Sequence, residues 1–226
     1  MTTFSNQVVI VTGAAGALGK AVADHFRAGG ATVAQLDVVG IDNGDYAAAC
    51  DLTDHDACKS AVTAILGQFG RVDVLVNVAG GFTMGETVHE TSQDTWNFMM
   101  GLNAQSVLNM ARAVMPIMIN QGHGKVVNIG ARAGLRGAPN MAAYSASKSV
   151  VIRLTESLAD EVKAQGVNVN CVLPSIIDTP RNRTDMPDAN FDEWVTPEAL
   201  ARVIGFLASS DADPIHGAAV PVEGLS

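Results

Sequence analysis

The chain has 226 residues, 48% of them hydrophobic, and a formal net charge of −9. That length and apolar content suit one globular domain with a sizeable core, and an acidic balance without a basic cluster excludes nucleic acid as a natural partner. No run reaches the roughly 18 apolar residues that a membrane span needs, and the opening MTTFSNQVVIVTGAAG lacks the basic and long apolar parts of a secretory signal, so neither is expected.

Short valine-rich runs alternate with longer helical patterns. In chain order the runs are QVVIV (7–11), TVAQLD (32–37), YAAAC (46–50), DVLVN (73–77), KVVNI (125–129), VNVNCV (167–172) and AAVPV (218–222). Most are continuously apolar, the mark of strands covered on both faces. The segments between them are long enough for crossover helices. This βα alternation predicts a single-domain Rossmann-type α/β fold, a doubly wound parallel sheet of about seven strands with helices on both faces. Only 178–194, DTPRNRTDMPDANFDEW, lacks apolar periodicity and reads as a loop or lid over a substrate.

Cys50, Cys58 and Cys171 form no Cys-x-x-Cys pair, which fits a reducing compartment and a cytoplasmic location. His25, His55, His89, His123 and His216 lack ligand spacing, so no metal site is expected.

Strand, glycine turn and helix follow one another in VVIVTGAAGALGKAVADHF. Gly13, Gly16 and Gly19 permit a tight turn, and a helix starting near Ala17 offers unpaired N–H groups to a pyrophosphate. Asp37 ends the second run, 18 residues after Gly19, where a carboxylate accepts bonds from both hydroxyls of an adenosine ribose. A 2′-phosphate would meet that carboxylate at close range. Ala14, Ala15, Val38 and Val39 supply no compensating cation, so NAD is expected over NADP.

Further along, Tyr144 and Lys148 stand one helical turn apart. A phenol with a pKa of about 10 is a poor base at neutral pH, and a nearby ammonium lowers that value. Asn103 precedes an apolar stripe of Val107, Met110, Val114 and Ile117. An amide on that stripe needs a partner or costs roughly a few kcal/mol. The methionines at 99, 100, 110, 115 and 118 read as core filler. Arg132 and Arg136 read as exposed loop arginines, with oxyanion stabilisation as the alternative.

Five blocks in order resemble the short-chain dehydrogenase/reductases over essentially the whole length: TGAAGALG (12–19), DLTD (51–54), NVAG (77–80), YSASK (144–148) and PSIIDT (174–179). The resemblance implies hydride transfer between nicotinamide and a small polar carbonyl or alcohol. Tyr144 is then the acid/base, Lys148 holds the nicotinamide ribose, and Asn103 relays to Lys148 through backbone and water. It also implies cofactor contacts from Gly13, Ala15, Gly16, Leu18 and Gly19, from Asp37, Asp51 and Leu52, and from Asn77, Ala79 and Gly80. At the nicotinamide the implied contacts are Tyr144, Lys148, Pro174, Ile177 and Thr179.

Family members are usually tetramers, with the helix containing Asn103 and the one after Tyr144 at a dyad; the surplus apolar residues 150–152, 154 and 158 fit such a homo-oligomer. Three positions depart from the pattern: Ala17 replaces a glycine of the turn, Ser175 replaces the glycine after Pro174, and Ala131 stands where the family has its catalytic serine. The segment around Ala131 resembles the dihydropteridine reductase-like branch. A conjugated-ring substrate, or an NAD(H)-binding sensor with weak catalysis, therefore stays open beside the carbonyl reading.

Overall fold

Each of the seven expected runs becomes a strand, and the central five are the ones buried on both faces. The computed structural model describes residues 3–41 and 44–226. The strands are β1 (Val8–Thr12), β2 (Thr32–Asp37), β3 (Tyr46–Ala49), β4 (Val74–Asn77), β5 (Gly124–Ile129), β6 (Val167–Pro174) and β7 (Ala219–Val222). They form one sheet, ordered β3-β2-β1-β4-β5-β6-β7, with every pair parallel. All eight residues of β6 are buried. β3 differs from the expected buried strand: it lies at the sheet edge, and Ala47 and Ala49 are exposed.

Successive strand residues point to opposite faces. Val9 and Val11 of β1 pack with α1 (Ala17–Ala28) and α7 (Pro197–Leu207). Val8 and Ile10 pack on the other face, with α2 (His55–Phe69), α4 (Ser106–Gln121) and the end of α5 (Ala142–Val162). The helix starts follow local chemistry. Asp54 accepts from the Asp56 and Ala57 N–H groups to open α2, and Thr196 accepts from Ala199 N–H to open α7. Gly70 and Gly122 close α2 and α4 with φ of +75° and +71°.

The segment 178–194 is more ordered than expected. It holds a short helix, α6 (Pro180–Asp185), and a 3₁₀ turn, Phe191–Glu193. Thr179 caps α6 and Pro180 fixes its first turn, signals that carry no apolar period. The chain returns to the sheet through a bridge between Ile177 and Val195.

The strand order reverses between β1 and β4. In an open parallel sheet the ligand crevice lies beyond the carboxyl ends of the strands at that switch point.

Candidate active site

The crevice at the switch point is a cleft of about 1260 Å³. Its floor is the turn after β1. Gly13 has φ +62°, and a Cβ there would lie 2.7 Å from Ala79 Cα. A Cβ on Gly19 would lie 2.1 Å from the Gly13 carbonyl oxygen, so α1 reaches the turn only because that residue is glycine. Gly16 opens α1 with no side chain to cap it. The N–H groups of the first helical turn are left for a ligand. Ala17, the substituted glycine, is exposed and lines the cleft.

Asp37 lines the same cleft and is fixed by the turn itself: its Oδ2 accepts from Ala15 N–H at 3.0 Å, and its Oδ1 from Val39 N–H at 3.3 Å. Thr12 escaped the sequence reading as a site residue. Its buried hydroxyl accepts from Ala79 N–H at 3.2 Å and pins the loop after β4 against the turn.

At the other end of the cleft stand Tyr144, in the first turn of α5, and Lys148 one turn on. Lys148 Nζ donates to the Ile129 carbonyl at 2.8 Å. Burial lowers its pKa to about 8, against a smaller upward effect of Cys171. Burial pushes Tyr144 up to about 12. In the free protein desolvation therefore prevails at Tyr144, and its phenol lies above rather than below the usual value. Phe82 meets the Tyr144 ring edge-on, centroids 4.9 Å apart at 87°.

Asn103 sits in a π-helical turn, Met100–Gln105, between α3 (Gln93–Met99) and α4. Widened turns of this kind recur at functional sites. Its amide accepts from Gly81 N–H at 2.9 Å, donates to Gly81 O at 3.1 Å, and donates to Ser147 Oγ at 2.9 Å. These direct partners tie helix to loop, while Lys148 is held by Ile129. The two residues meet around Gly80, where a Cβ would lie 2.8 Å from Asn103 Oδ1 and 3.2 Å from Lys148 Nζ. Ser147, missed in the sequence reading although it stands within YSASK, links Asn103 to the helix that carries Tyr144.

Of the other expected cofactor residues, Ala15, Leu18, Asp51, Leu52, Ala79, Gly80, Pro174 and Ile177 line the cleft. Three expected site residues do not line it: Asn77, Asn103 and Thr179. Asn77 donates to Asn128 Oδ1 at 2.8 Å inside the sheet. Thr179 Oγ1 accepts from Asn182 N–H at 3.2 Å as the α6 cap. Ala131 is buried, extended at φ −164°, and faces the cleft without a hydroxyl. Arg132 Nε pairs with Glu223 Oε1 at 2.9 Å. Ser175, in place of a glycine, donates to Glu223 O at 2.7 Å. The glycine cradle, the open helix start and the acid at the end of β2 fit a dinucleotide.

A doubly wound sheet with this cleft defines a dinucleotide-binding α/β protein. Residues 7–190 match the family model for short chain dehydrogenases, and the chain belongs to that family. It is an oxidoreductase family that works with nicotinamide cofactors. The chain is 31% identical to a 3-oxoacyl-[acyl-carrier-protein] reductase of Thermotoga maritima, covering 96% of both chains. It is 33% identical to the 2-(R)-hydroxypropyl-CoM dehydrogenase of Xanthobacter autotrophicus, over 97% of this chain and 98% of the other. The structure of an aldohexose dehydrogenase from Thermoplasma acidophilum superposes with a TM-score of 0.89 at 28% identity, over 98% of this chain and 94% of that one.

Proposed function

We propose that the protein is an NAD(H)-dependent oxidoreductase acting on a small carbonyl or alcohol. The observation that carries this reading is one cleft that holds the glycine turn and Asp37 at one end and the Tyr144–Lys148 pair at the other. The α1 start receives the pyrophosphate, Asp37 the adenosine ribose, and Asp51 and Leu52 the adenine. Gly80, Lys148, Pro174 and Ile177 hold the nicotinamide half. Asn77 and Ala79 support it from the end of β4, and Thr179 acts beside it through its backbone and by capping α6.

A bound nicotinamide supplies or accepts the hydride. In reduction, the carbonyl carbon gains that hydride with its electron pair, and the carbonyl oxygen gains the Tyr144 proton, which solvent then restores. A phenol near pKa 12 is protonated and ready for this step. Lys148, one helical turn on and lining the same cleft, is the cation placed to stabilise the phenolate that remains. Asn103 acts through position: by fixing Gly81 and Ser147 it sets the loop and helix between which Lys148 reaches.

The reading extends to a cytoplasmic homotetramer. The three cysteines are free and buried, as a reducing compartment allows. On α5, Val150, Leu154 and Leu158 form a half-buried stripe beside the core residues Val151, Ile152 and Ala159. Leu108 and Ile119 of α4 are exposed. Among the described residues, no helix is long and apolar enough to cross a membrane.

Titration calorimetry is expected to give tighter binding of NADH than of NADPH; equal affinity removes the argument from the Asp37 charge. With a panel of ketones, wild type oxidises NADH, and Tyr144→Phe loses activity by about 10²–10⁴-fold, the usual worth of a positioned acid. Cofactor binding without turnover on any carbonyl or quinonoid substrate would make the protein a sensor, a reading that Ala131 favours.

A further inference from the structure

We infer that the substrate is a neutral carbonyl or alcohol bearing an apolar, ring-sized substituent, held by Phe82, Met84, Leu102, Met141 and Met186 beside Tyr144. This deepens the proposed function and rests on it. The five residues come from four separate segments: the loop after β4, the π-helical turn, the start of α5 and the end of α6. Phe82, Met84 and Met186 are exposed, at 54%, 58% and 36%. Single exposed apolar side chains are ordinary, but their convergence on one cleft is the signature of a ligand wall. Phe82 already packs edge-on against Tyr144, so the wall adjoins the acid/base. Three flexible thioethers give it the adaptability to close on a flat or branched group.

Charge points the same way. The cations lining the cleft are Arg132, Lys148 and Arg181. Each has a partner: Arg132 pairs with Glu223, Arg181 Nε with Asp185 Oδ2 at 2.7 Å, and Lys148 with the Ile129 carbonyl. Glu223 holds Arg132 and Asp185 holds Arg181, so an anionic substrate would have to displace a carboxylate and then face it. The polar substrate expected from the family resemblance fits this wall poorly.

The test uses two ketones of nearly the same shape and the same reacting group, 4-methylacetophenone and 4-acetylbenzoate, with hydroxyacetone as the small polar control. Binding to the NADH-loaded protein is measured by saturation-transfer NMR competition, and turnover by NADH oxidation. The neutral aryl ketone should bind at least tenfold more tightly than either comparator. Met186→Lys should narrow or reverse the gap by admitting the carboxylate. Tighter binding of 4-acetylbenzoate or hydroxyacetone, or equal binding of all three, overturns the inference. Because binding decides it, a protein that binds the aryl ketone but never reduces it refutes the proposed reaction and leaves the apolar recognition standing.

Discussion

Ala131 decides how much work Tyr144 must do alone. The residue is buried at the cleft, and its methyl group offers no proton to a developing oxyanion. One donor aimed at such an oxygen is worth about 10²–10³ in kcat in a well-studied hydrolase. Ala131→Ser is therefore expected to raise kcat for a simple ketone, by no more than that factor, in steady-state NADH oxidation. An unchanged kcat would favour a conjugated ring, where charge spreads away from any single oxygen. Lys148 carries the remaining electrostatic burden, and Gly80 leaves it room: a Cβ there would force the Asn103 amide to shift and would crowd Nζ.

At the scale of elements, α6 is the piece whose placement bears most on the substrate. It contributes Arg181, Asn182 and Asp185 to the cleft and delivers Met186 at its end. Six residues are too few to hold a helix without help. The help is the Thr179 cap and a bond from Asn182 Nδ2 to the Ile177 carbonyl at 2.8 Å. Losing a cap costs about 1 kcal/mol, roughly fivefold in an equilibrium. Thr179→Ala should raise KM for the carbonyl by about that factor with little change in NADH affinity, and Thr179→Asp, which caps as well, should restore it. A loss of NADH affinity in both variants would instead assign the hydroxyl to the cofactor.

For the whole molecule, one buried carboxylate ties the far end of the sheet together. Asp73 is 4% exposed and accepts from Val8 N–H at 2.8 Å, from Arg71 and from His123 Nε2 at 2.8 Å. Burial alone would raise its pKa, but the bonds from Arg71, Val8 and His123 overcome this and hold it below the usual value. A carboxyl group held lower in the folded state than in the unfolded chain stabilises the fold above about pH 4, the unfolded value. That stabilisation is lost as pH falls through the folded pKa. Wild type should therefore lose denaturant resistance in acid. Asp73→Ala should be less stable at pH 7 by about 1–3 kcal/mol, because Val8 N–H is left unpaired, and its acid loss should be shallower. Chemical denaturation across pH checks both. Assembly is the other property at this scale. A tetramer is expected by light scattering at micromolar concentration, and a monomer there would reject the reading of the α4 and α5 faces.

The sequence alone determined the strands, their parallel arrangement, the glycine turn and the acid at the end of β2. Each of these is written in local terms: a continuous valine run, a φ only glycine takes easily, a fixed distance from turn to carboxylate. Tyr144 and Lys148 were legible for the same reason, since one helical turn brings them to one face. Only the tertiary structure decided what surrounds them. Gly81, Asn103 and Ser147 are joined across separations of 22 and 44 residues, and Phe82 reaches Tyr144 from another loop. The raised phenol and the lowered ammonium follow from burial, which no short segment encodes. The motif places Thr179 and Asn77 at the cofactor, and the fold adds what the motif does not state: one caps a helix and the other bonds inside the sheet. The helix at 180–185 reads as loop in the sequence because its order comes from a cap and a side-chain hydrogen bond, and neither leaves a hydrophobic period.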